Sequence, residues 1–401
     1  VPNLRFPEFQ GEWEESSIGE MFDLYSGNTP SRLNKEHFKG TVNWISSGEL
    51  KEHYIYSSKE QISEEAAKSL KLLPVGTFVI AIYGLEADGV RGTGSITQEP
   101  STISQACMSF IPKGVIENEF LYSWYKKHGN VIGIRYAQGT KQQNLSYDIL
   151  EKFRIAYPNT KEQEKLNKFI SLLDERIATQ NKIIDKLQSL IKGLEDKILD
   201  NPLWKKTYLR SFMQFFSTNS LSWEQLSYEE GEIRNLHYGL IHGFFTSGIK
   251  SYSLPMVKYG EIPKQYTLCQ VGDVAFADAS EDTDEIGKSV EFVDTIKSDT
   301  ICGLHTIHGR DIKNRTVVGF KGFAFNSRYF HNQIKRLAQG TKVFSITANN
   351  LSSCYVYLPD LEKQKAIVKL LRSYEEQLII GRMILKQYEK QKQYLLRQMF
   401  I

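Results

Sequence analysis

The sequence predicts an α+β protein with a pseudo-two-fold internal repeat, in which a long antiparallel two-helix coiled coil separates two strand-rich globular domains. Three observations lead to this prediction. The motif Ala-Gln-Gly-Thr-Lys at 137–141 returns at 338–342, and the offset of 201 residues then holds to the C-terminus. A long heptad pattern follows each copy of the motif. Short apolar runs between turn signals, which are typical of strands, fill the segment before each copy.

The repeat divides the 401 residues into four segments. We expect the first globular domain at 1–145, a central region with the first long helix at 146–202, the second globular domain at 203–345 and a C-terminal region with the second long helix at 346–401. A repeat of this length far exceeds a solenoid unit of roughly 20–50 residues. It indicates a dimer fused into one chain, which suits a target that also has two halves.

The globular domains show matching strands and unmatched loops. A turn signal at 73–76 leads into an apolar run that predicts a buried strand, and the same arrangement recurs at 270–277. Between such positions the two copies diverge almost completely, as segments 25–31 and 236–243 illustrate. Similar scaffolds with different loops suggest two readers of two different targets.

Each long helix carries an a/d seam of apolar residues. The seam positions are Leu166, Ile170, Leu173, Ile177, Ile184, Leu187, Ile191, Leu194 and Ile198 in the first helix, and Ile367, Leu371, Tyr374, Leu378, Leu385, Tyr388, Leu395 and Met399 in the second. Gln180 interrupts the first seam, whereas Gly381 and Lys392 interrupt the second. Pro158 precedes the first helix and Pro202 follows it, which sets its limits.

The obvious partner for either seam is the other seam. About forty residues at 1.5 Å each form a rod of roughly 60 Å. If a pseudo-dyad lies across this rod, the helices are antiparallel and each globular domain is attached at one end. In the alternative, each helix packs only on its own globular domain.

Composition is that of an ordinary soluble globular protein, with 41% hydrophobic and 24% charged residues. No apolar run approaches the roughly 20 residues that cross a bilayer, so we expect no membrane association. Cys107, Cys269, Cys302 and Cys354 are far apart in sequence without a Cys-x-x-Cys pair, which argues against a zinc ribbon or disulfide framework and indicates a cytoplasmic protein. A net charge of +3 neither demands nor excludes nucleic acid.

Apparent enzyme motifs fail on inspection. Segment 243–251 almost spells a phosphate-binding loop, but Ile249 separates its second glycine from the lysine. Segment 201–204 resembles the Asn-Pro-Pro-aromatic signature of amino-methyltransferases, although a leucine replaces the second proline. His305 and His308 are expected in a strand with their side chains on opposite faces. The sequence therefore predicts no catalytic residue and no metal site.

The chain resembles the specificity subunit of Type I restriction-modification enzymes over its whole length. Each motif is weak alone, but their order and duplication make the resemblance specific. It rests on the two Ala-Gln-Gly-Thr-Lys loops, on Pro158 with Gln163 and Pro359 with Gln364 ahead of the helices, on a variable domain before each helix, and on segments 11–13, 43–48 and 235–242.

The resemblance implies a non-catalytic DNA reader. Each variable domain would be a target recognition domain for one half of a bipartite, asymmetric site in double-stranded DNA. The helices would set the gap between the halves and provide a platform for two methyltransferase subunits, which carry S-adenosylmethionine and flip the target adenine. Restriction (motor-nuclease) subunits, with ATP and Mg, would complete the complex, and no cofactor is expected on this chain.

Base readout needs donors and acceptors, and phosphate contacts need cations and amides. The DNA-binding candidates are Arg32, Lys35, Ser46, Ser47, Arg91, Lys141, Gln142, Gln143 and Asn144 in the first domain, and His237, Tyr238, His242, Lys250, Arg328, Lys335, Arg336 and Lys342 in the second. A solvated surface position is an equal alternative for any one of them. The acidic run at 281–285 is expected to form a loop held away from DNA.

Two other functions remain open at this point. One is a pseudo-dimeric coiled-coil scaffold protein with no DNA readout. The other is a single-chain methyltransferase, which the missing Phe-x-Gly-x-Gly cofactor loop disfavours.

Overall fold

A computed structural model describes residues 1–87, 89–139, 143–243, 248, 254–293 and 299–401. The chain divides into two compact units. Unit 1 comprises Val1–Asn181 and Met383–Ile401, and unit 2 comprises Lys182–Arg382. Each unit thus contains one globular domain and a part of both long helices. This division cuts both helices, whereas the expected segments 146–202 and 346–401 each contain one whole helix.

Unit 1 has three sheets, and the start of one long helix and the end of the other share its core. Its strands are β1 Glu14–Ser17, β2 Phe22–Ser26, β3 Val42–Ile45, β4 Tyr54–Ile55, β5 Gln61–Ile62, β6 Phe78–Ala81, β7 Gly94–Thr97, β8 Ser101–Ile103, β9 Cys107–Pro112 and β10 Arg154–Tyr157. Its helices are α1 Ile18–Met21, α2 Glu64–Lys68, α3 Asn118–Tyr136, α4 Tyr147–Leu150 and the start of α5 Thr160–Leu199, with 3-10 turns at Lys35–Phe38 and Ser47–Glu49.

Unit 2 repeats this arrangement with different loops. Its strands are β11 Lys205–Tyr208, β12 Met213–Phe216, β13 Leu226–Ser227, β14 Arg234–Leu236, β15 Met256–Val257, β16 Val274–Ala277, β17 Ala279–Ser280, β18 Ser289–Glu291, β19 Thr300–Cys302, β20 Thr306–Asp311, β21 Phe344–Ser345 and β22 Tyr355–Leu358. Its helices are α6 Tyr238–Ile241, α7 Phe320–Ala324, α8 Arg328–Leu337, α9 Ala348–Ser353 and the start of α10 Leu361–Met399, with 3-10 turns at Leu209–Ser211 and Trp223–Gln225.

The sheets of the two units share a core strand order. The order β2-β9-β6-β7 in unit 1 corresponds to β12-β20-β16-β18 in unit 2, and β5-β3-β8 corresponds to β15-β14-β19. In unit 1 β4 extends the first of these sheets, and in unit 2 β13 extends the second. A parallel pair lies at the same place in each, β3 with β8 and β14 with β19. The central strands β6 and β16 are buried along their whole length, because every side chain faces packed protein. The duplication therefore extends to sheets whose sequences no longer match.

The long helices are antiparallel in both units, as predicted. In unit 1, Leu166 and Leu173 near the start of α5 share a core with Leu395 and Met399 near the end of α10. In unit 2, the end of α5 and the start of α10 share a second core. The alternative in which each helix packs only on its own globular domain is therefore wrong.

Every seam position is buried or half-buried. Leu166, Ile170, Leu173, Ile184, Ile191, Ile367, Leu371, Leu378, Leu395 and Met399 are buried, and Ile177, Leu187, Leu194, Ile198, Tyr374, Leu385 and Tyr388 are half-buried. Lys392, which interrupts the second seam, is half-buried because Asp174 of α5 pairs with its ammonium group. Within the described ranges, no helix combines the length and apolarity needed to span a membrane.

One glutamine fixes the start of each long helix to its globular domain. Gln163 Nε2 donates to the carbonyls of Val115 and Pro158, at 3.2 and 2.9 Å, and its Oε1 accepts from the amide of Glu117 at 3.0 Å. Gln364 makes the same set in unit 2 with Arg315, Pro359 and Val317, at 3.0 Å each. Both side chains are fully buried. The repeated Pro and Gln of the sequence are thus a structural joint.

Candidate nucleic-acid interface

Backbone hydrogen bonds join the residues on either side of each motif glycine, directly after α3 and α8. Gln138 and Asn144 exchange two backbone hydrogen bonds of 2.8 Å, and Gln339 exchanges bonds of 3.0 and 2.8 Å with Ser345. Gly139 and Gly340 have φ values of 110° and 131°, in a region that favours glycine. Lys342 is exposed on the second loop. The candidates Lys141 and Gln142 lie outside the described residues, as does Lys250.

Three DNA-binding candidates of unit 1 lie next to one another, beside the first Ala-Gln-Gly-Thr-Lys motif. Arg91 Nη2 donates to Gln143 Oε1 at 2.7 Å, and the amide of Gln143 donates to Glu86 Oε2 at 2.8 Å. Asn144 pairs with Tyr83 in an antiparallel bridge. Although some fifty residues apart in sequence, Arg91 and Gln143 thus form a single polar surface that combines a cation with an amide. Such a combination can contact both a phosphate and a base edge.

Arg32 occupies a different surface of unit 1. Its guanidinium makes a bidentate pair with Glu60 at 2.9 and 2.7 Å, which raises the pKa of Arg32, and it lies 4.5 Å from the centre of the Phe38 ring. Both charged side chains are about half exposed, so the pair contributes little to stability. Lys35 is exposed on the 3-10 turn next to it. The guanidinium is therefore positioned by the protein and accessible to an anion.

The serine candidates have a structural role nearby. The amide and the hydroxyl of Ser46 both donate to Glu49 Oε2, at 2.9 and 2.5 Å, in a capping box that begins the 3-10 turn after β3. Ser47 is half-buried in that turn. A base contact by the Ser46 hydroxyl would compete with this cap.

In unit 2, His237 is a buried capping residue. It is 3% exposed, and its Nδ1 accepts from the amide of Gly239 at 3.2 Å at the start of α6. Burial lowers the pKa of His237, so the ring is neutral near pH 7. Trp223 and Tyr238 flank it with ring centres at 4.5 and 4.8 Å. Sequence reasoning could not separate this role from DNA contact, because both favour a polar ring in a loop.

The acidic run 281–285 contacts two DNA-binding candidates of unit 2, and its separation from DNA stays a prediction. His242 Nδ1 lies 2.6 Å from Glu285 Oε2, and Asp284 pairs with Lys335. Burial raises the pKa of Glu285, but the hydrogen bond with His242 and the charge of Lys288 outweigh it and lower the pKa. These pairs join residues 43 and 51 positions apart in sequence. The carboxylates of the run thus partly balance the charge of Lys335 and occupy one ring nitrogen of His242 within unit 2.

The last candidates of unit 2 lie on α8. Arg328 and Lys335 line a cavity of about 810 Å³, which the carboxylates of Asp284, Glu285 and Glu375 also line. Arg336 is exposed. Arg328, Lys335, Arg336 and Lys342 are thus all exposed, and Arg328 and Lys335 also face a surface of mixed charge.

A cationic aromatic surface of unit 2 was not among the sequence candidates. On the paired strands β11 and β22, the ammonium group of Lys206 lies 3.8 Å from the centre of the Tyr355 ring, and Arg210 lies over Tyr208 at 4.8 Å. Tyr329 stacks on Tyr357 at 5.3 Å. Exposed cations beside aromatic rings are typical of nucleic-acid contacts. The alternating tyrosines of segment 355–357 opposite a pair of lysines are the sequence signal that could have revealed this surface.

The structure corrects one expectation about a histidine and brings together three residues that the sequence left apart. His305 is not in a strand; it has a φ of 55° in the turn before β20, and its Nδ1 lies 3.1 Å from Asp278 Oδ1. Cys269 and Cys302 are 33 positions apart in sequence, yet their sulfur atoms are 3.5 Å apart. His308 lies beside them, so the three offer ligand atoms within 4.8 Å of one another. Sequence spacing missed this cluster because sheet pairing, not local sequence, brings the three together.

Comparison with known proteins gives consistent matches. The sequence pattern of the family described as "Type I restriction modification DNA specificity domain" matches residues 10–189 and 303–390. The MjaVIII specificity subunit of Methanocaldococcus jannaschii is 24% identical over 97% of this chain and 91% of its own length. The EcoR124I/EcoR124II specificity subunit of Escherichia coli is 31% identical over 46% of this chain.

Other curated relatives match over part of their length, and solved structures match throughout. The chain spans 42% of the MjaIX specificity subunit of M. jannaschii and 45% of the E. coli relative. The S subunit of M. genitalium has the same fold, with a TM-score of 0.59 at 15% identity over 100% of this chain and 99% of that one. A structure from work on assembly of the type I R-M system also has a TM-score of 0.59, at 13% identity over 97% of both chains.

Proposed function

The chain belongs to the family of type I restriction-modification specificity subunits, and from this premise we propose that it reads a bipartite, asymmetric DNA site, one half with each unit. The observation that carries the proposal is that the two units share a sheet topology but present different polar side chains. A shared scaffold with distinct readers is what an asymmetric target in two parts requires. The scaffold function without DNA readout gives no reason for this divergence.

The candidate contacts of the two units differ in kind. Unit 1 offers the positioned guanidinium of Arg32 and the Arg91–Gln143 pair. Unit 2 offers the exposed cations of α8 and the second motif loop, together with the Lys206 and Arg210 surface. Guanidinium and amide groups have the paired donors and acceptors that bidentate contact with a base edge uses, whereas a lysine ammonium group is a point charge that suits phosphates. We therefore assign readout chiefly to the amides and arginines and positioning to the lysines.

The proposed subunit directs partner enzymes and has no catalytic role of its own. Partner methyltransferase subunits would supply S-adenosylmethionine and the adenine chemistry, and restriction subunits would supply ATP-driven cleavage with Mg, in the cytoplasm. Exposed apolar side chains on the long helices support docking of such subunits. They include Leu172, Leu190, Leu370 and Tyr394, which are 49%, 44%, 41% and 58% exposed.

The test is methylation of genomic DNA by this chain alone, by the partner methyltransferase alone and by both together. We expect methylation only with both, at one bipartite motif found by sequencing methylated DNA. Exchanging residues 1–145 for those of a relative should change one half-site and leave the other intact. Methylation by this chain alone, or a change in both half-sites, would contradict the proposal.

A further inference from the structure

Unit 2 contains a buried cluster of two thiols, an imidazole and a carboxylate that the proposed DNA reading does not use. Cys269, Cys302 and His308 are 5%, 3% and 1% exposed, and the two sulfur atoms are 3.5 Å apart. His308 Nε2 lies 2.7 Å from Asp273 Oδ2, and Asp273 is also buried. Groups of this kind belong to the small set that binds soft transition metals in proteins.

The duplicated fold supplies an internal comparison for this cluster. Cys269 and Leu73 hold the same place, since the amide of each donates at 2.8 Å to the first residue of a corresponding strand, β19 or β8. The other equivalences follow from the strand registers. Unit 1 has Leu73 for Cys269, Ile103 for Cys302, Ser109 for His308 and Thr77 for Asp273.

The unit 1 equivalents form an ordinary core. All four are buried, and two are aliphatic. The shared topology can therefore be built without thiols or an imidazole at these positions. Unit 2 differs from unit 1 at all four positions together, and the four differences place metal ligands in contact. The fold itself does not require cysteines or a histidine at these positions, because unit 1 fills the two positions equivalent to the cysteines with leucine and isoleucine.

The surroundings of His308 orient it as a ligand. Asp273 holds its Nε2, which leaves Nδ1 as the nitrogen available to a cation. Arg310 holds the same carboxylate through two hydrogen bonds of 2.8 and 2.7 Å, and the amide of Gln270 adds a third at 2.8 Å. A carboxylate that fixes the distal nitrogen is the usual support of a metal-binding histidine.

We propose that Cys269, Cys302 and His308 bind one zinc ion in the second globular domain. Tetrahedral zinc with bonds of about 2.3 Å to sulfur separates two thiolates by roughly 3.8 Å, close to the separation seen here. Binding converts both thiols to thiolates, so zinc displaces two protons and the two sulfur charges balance the ion. A water molecule takes the fourth position.

The ion would connect three segments of the sheet core. Cys302 ends β19, His308 lies within β20, and Cys269 precedes β16. Zinc here would stabilise unit 2 without contacting DNA. The site is therefore independent of the proposed function, and either can fail without the other.

The experiment measures metal in the full-length chain purified without added chelator. We expect about one zinc per chain by elemental analysis, and a sulfur-to-metal charge-transfer band when cobalt replaces zinc. Removing the metal with a chelator should lower the melting temperature of the protein by roughly 5 °C or more, and added zinc should restore it. The variant C269L/C302I/H308S, which installs the unit 1 residues, should bind no zinc and be insensitive to the chelator.

The control is C354A, since Cys354 is a buried cysteine of unit 2 outside the cluster, and it should retain the metal. Three outcomes would overturn the proposal. The first is a chain that binds no zinc although both cysteines are reduced, as shown by their reaction with an alkylating reagent after denaturation. The second is a disulfide between Cys269 and Cys302. The third is zinc that persists in the triple variant. The last would place the ion elsewhere.

Discussion

His53 shows how one side chain can couple a globular domain to both long helices. Its ring lies between Tyr54 and Tyr122, with ring centres at 4.1 and 3.9 Å, and its nitrogens contact Asp174 of α5 and Glu119 of α3. Asp174 also pairs with Lys392 of α10. Burial lowers the pKa of His53, but the hydrogen bonds with the two carboxylates outweigh it, so the pKa is raised.

The raised pKa of His53 predicts a pH-dependent contribution to stability. The contribution is complete below the pKa of the unfolded chain, about 6.5, and is lost as the pH rises through the higher folded value. His53→Phe keeps the stacking and removes the hydrogen bonds, so it should cost about 2 kcal/mol at low pH and less at high pH. The measurement is the difference in melting temperature between wild type and variant from about pH 5.5 to 8.5.

His37→Phe, the same change at a half-buried histidine of the same unit, is the control for replacing an imidazole with a phenyl ring. A constant difference for His53→Phe would show that His53 does not hold a proton between the carboxylates.

The buried glutamines at the helix starts predict equal effects in both units. Gln163→Leu leaves two carbonyls and one amide without their partner, and Gln364→Leu does the same in unit 2. An unsatisfied buried group costs about 1–3 kcal/mol, so each variant should lose about 3 kcal/mol of unfolding free energy, measured by urea denaturation. Gln393→Leu, at an exposed position of α10, should change it by less than about 0.5 kcal/mol. If only one of the two variants lost unfolding free energy, the two glutamine joints would not be equivalent.

At the scale of elements, two glycines of the sequence predict opposite effects. Gly193 is exposed within α5, and an added Cβ would meet nothing within 4 Å, so Gly193→Ala should stabilise the helix by about 0.5–1 kcal/mol. Gly340 has a φ of 131°, and an added Cβ would lie 1.9 Å from the carbonyl oxygen of Val343. Gly340→Ala should therefore destabilise unit 2 by about 2 kcal/mol, measured by its melting temperature. A stabilising effect at Gly340 would contradict the assigned loop conformation.

The long elements were predictable from the sequence because their signals are periodic. Heptads spanning some forty residues gave α5 and α10 and their mutual packing, and the exact offset of the motif gave the duplication. The sheet order was not predictable, because strands such as β6 and β9 pair across a long separation in sequence. For the same reason the sequence did not predict the pairing of Lys392 with Asp174. In the sequence, Lys392 is simply a charge in an apolar seam.

The candidate interface was less predictable than the fold. Arg32 is exposed, Arg91 and Gln143 are half-buried, and their contact with DNA stays a prediction. Ser46 and His237 are equally polar, but they cap short helical turns. Composition cannot distinguish a capping side chain from a reading one, because both are chosen for hydrogen bonding. Only the backbone conformation of the loop decides between the two roles.

At the scale of the whole molecule, the chain crosses between its two units twice, and neither half of the sequence is complete alone. A fragment of residues 1–201 lacks the end of α10, which places Leu395, Leu396, Met399 and Phe400 in the core of unit 1. Each such buried side chain contributes about 1.5–3 kcal/mol. A fragment of residues 202–401 likewise lacks the end of α5, which supplies Leu199 to the core of unit 2.

We therefore expect the two fragments to copurify in a 1:1 ratio when they are coexpressed, because each supplies the helix segment that the other lacks. A break after Asn201 is tolerable, since the next residues form an exposed loop in which Leu203 is 92% exposed. Alone, fragment 1–201 should aggregate or pair with itself through its bare α5 seam, and a peptide of residues 383–401 should reduce that self-association. Light scattering measures the state of each fragment. A monomeric fragment 1–201 that melts like the full chain would show that the helix pair is not needed for unit 1, because the missing apolar contacts would then carry no free energy.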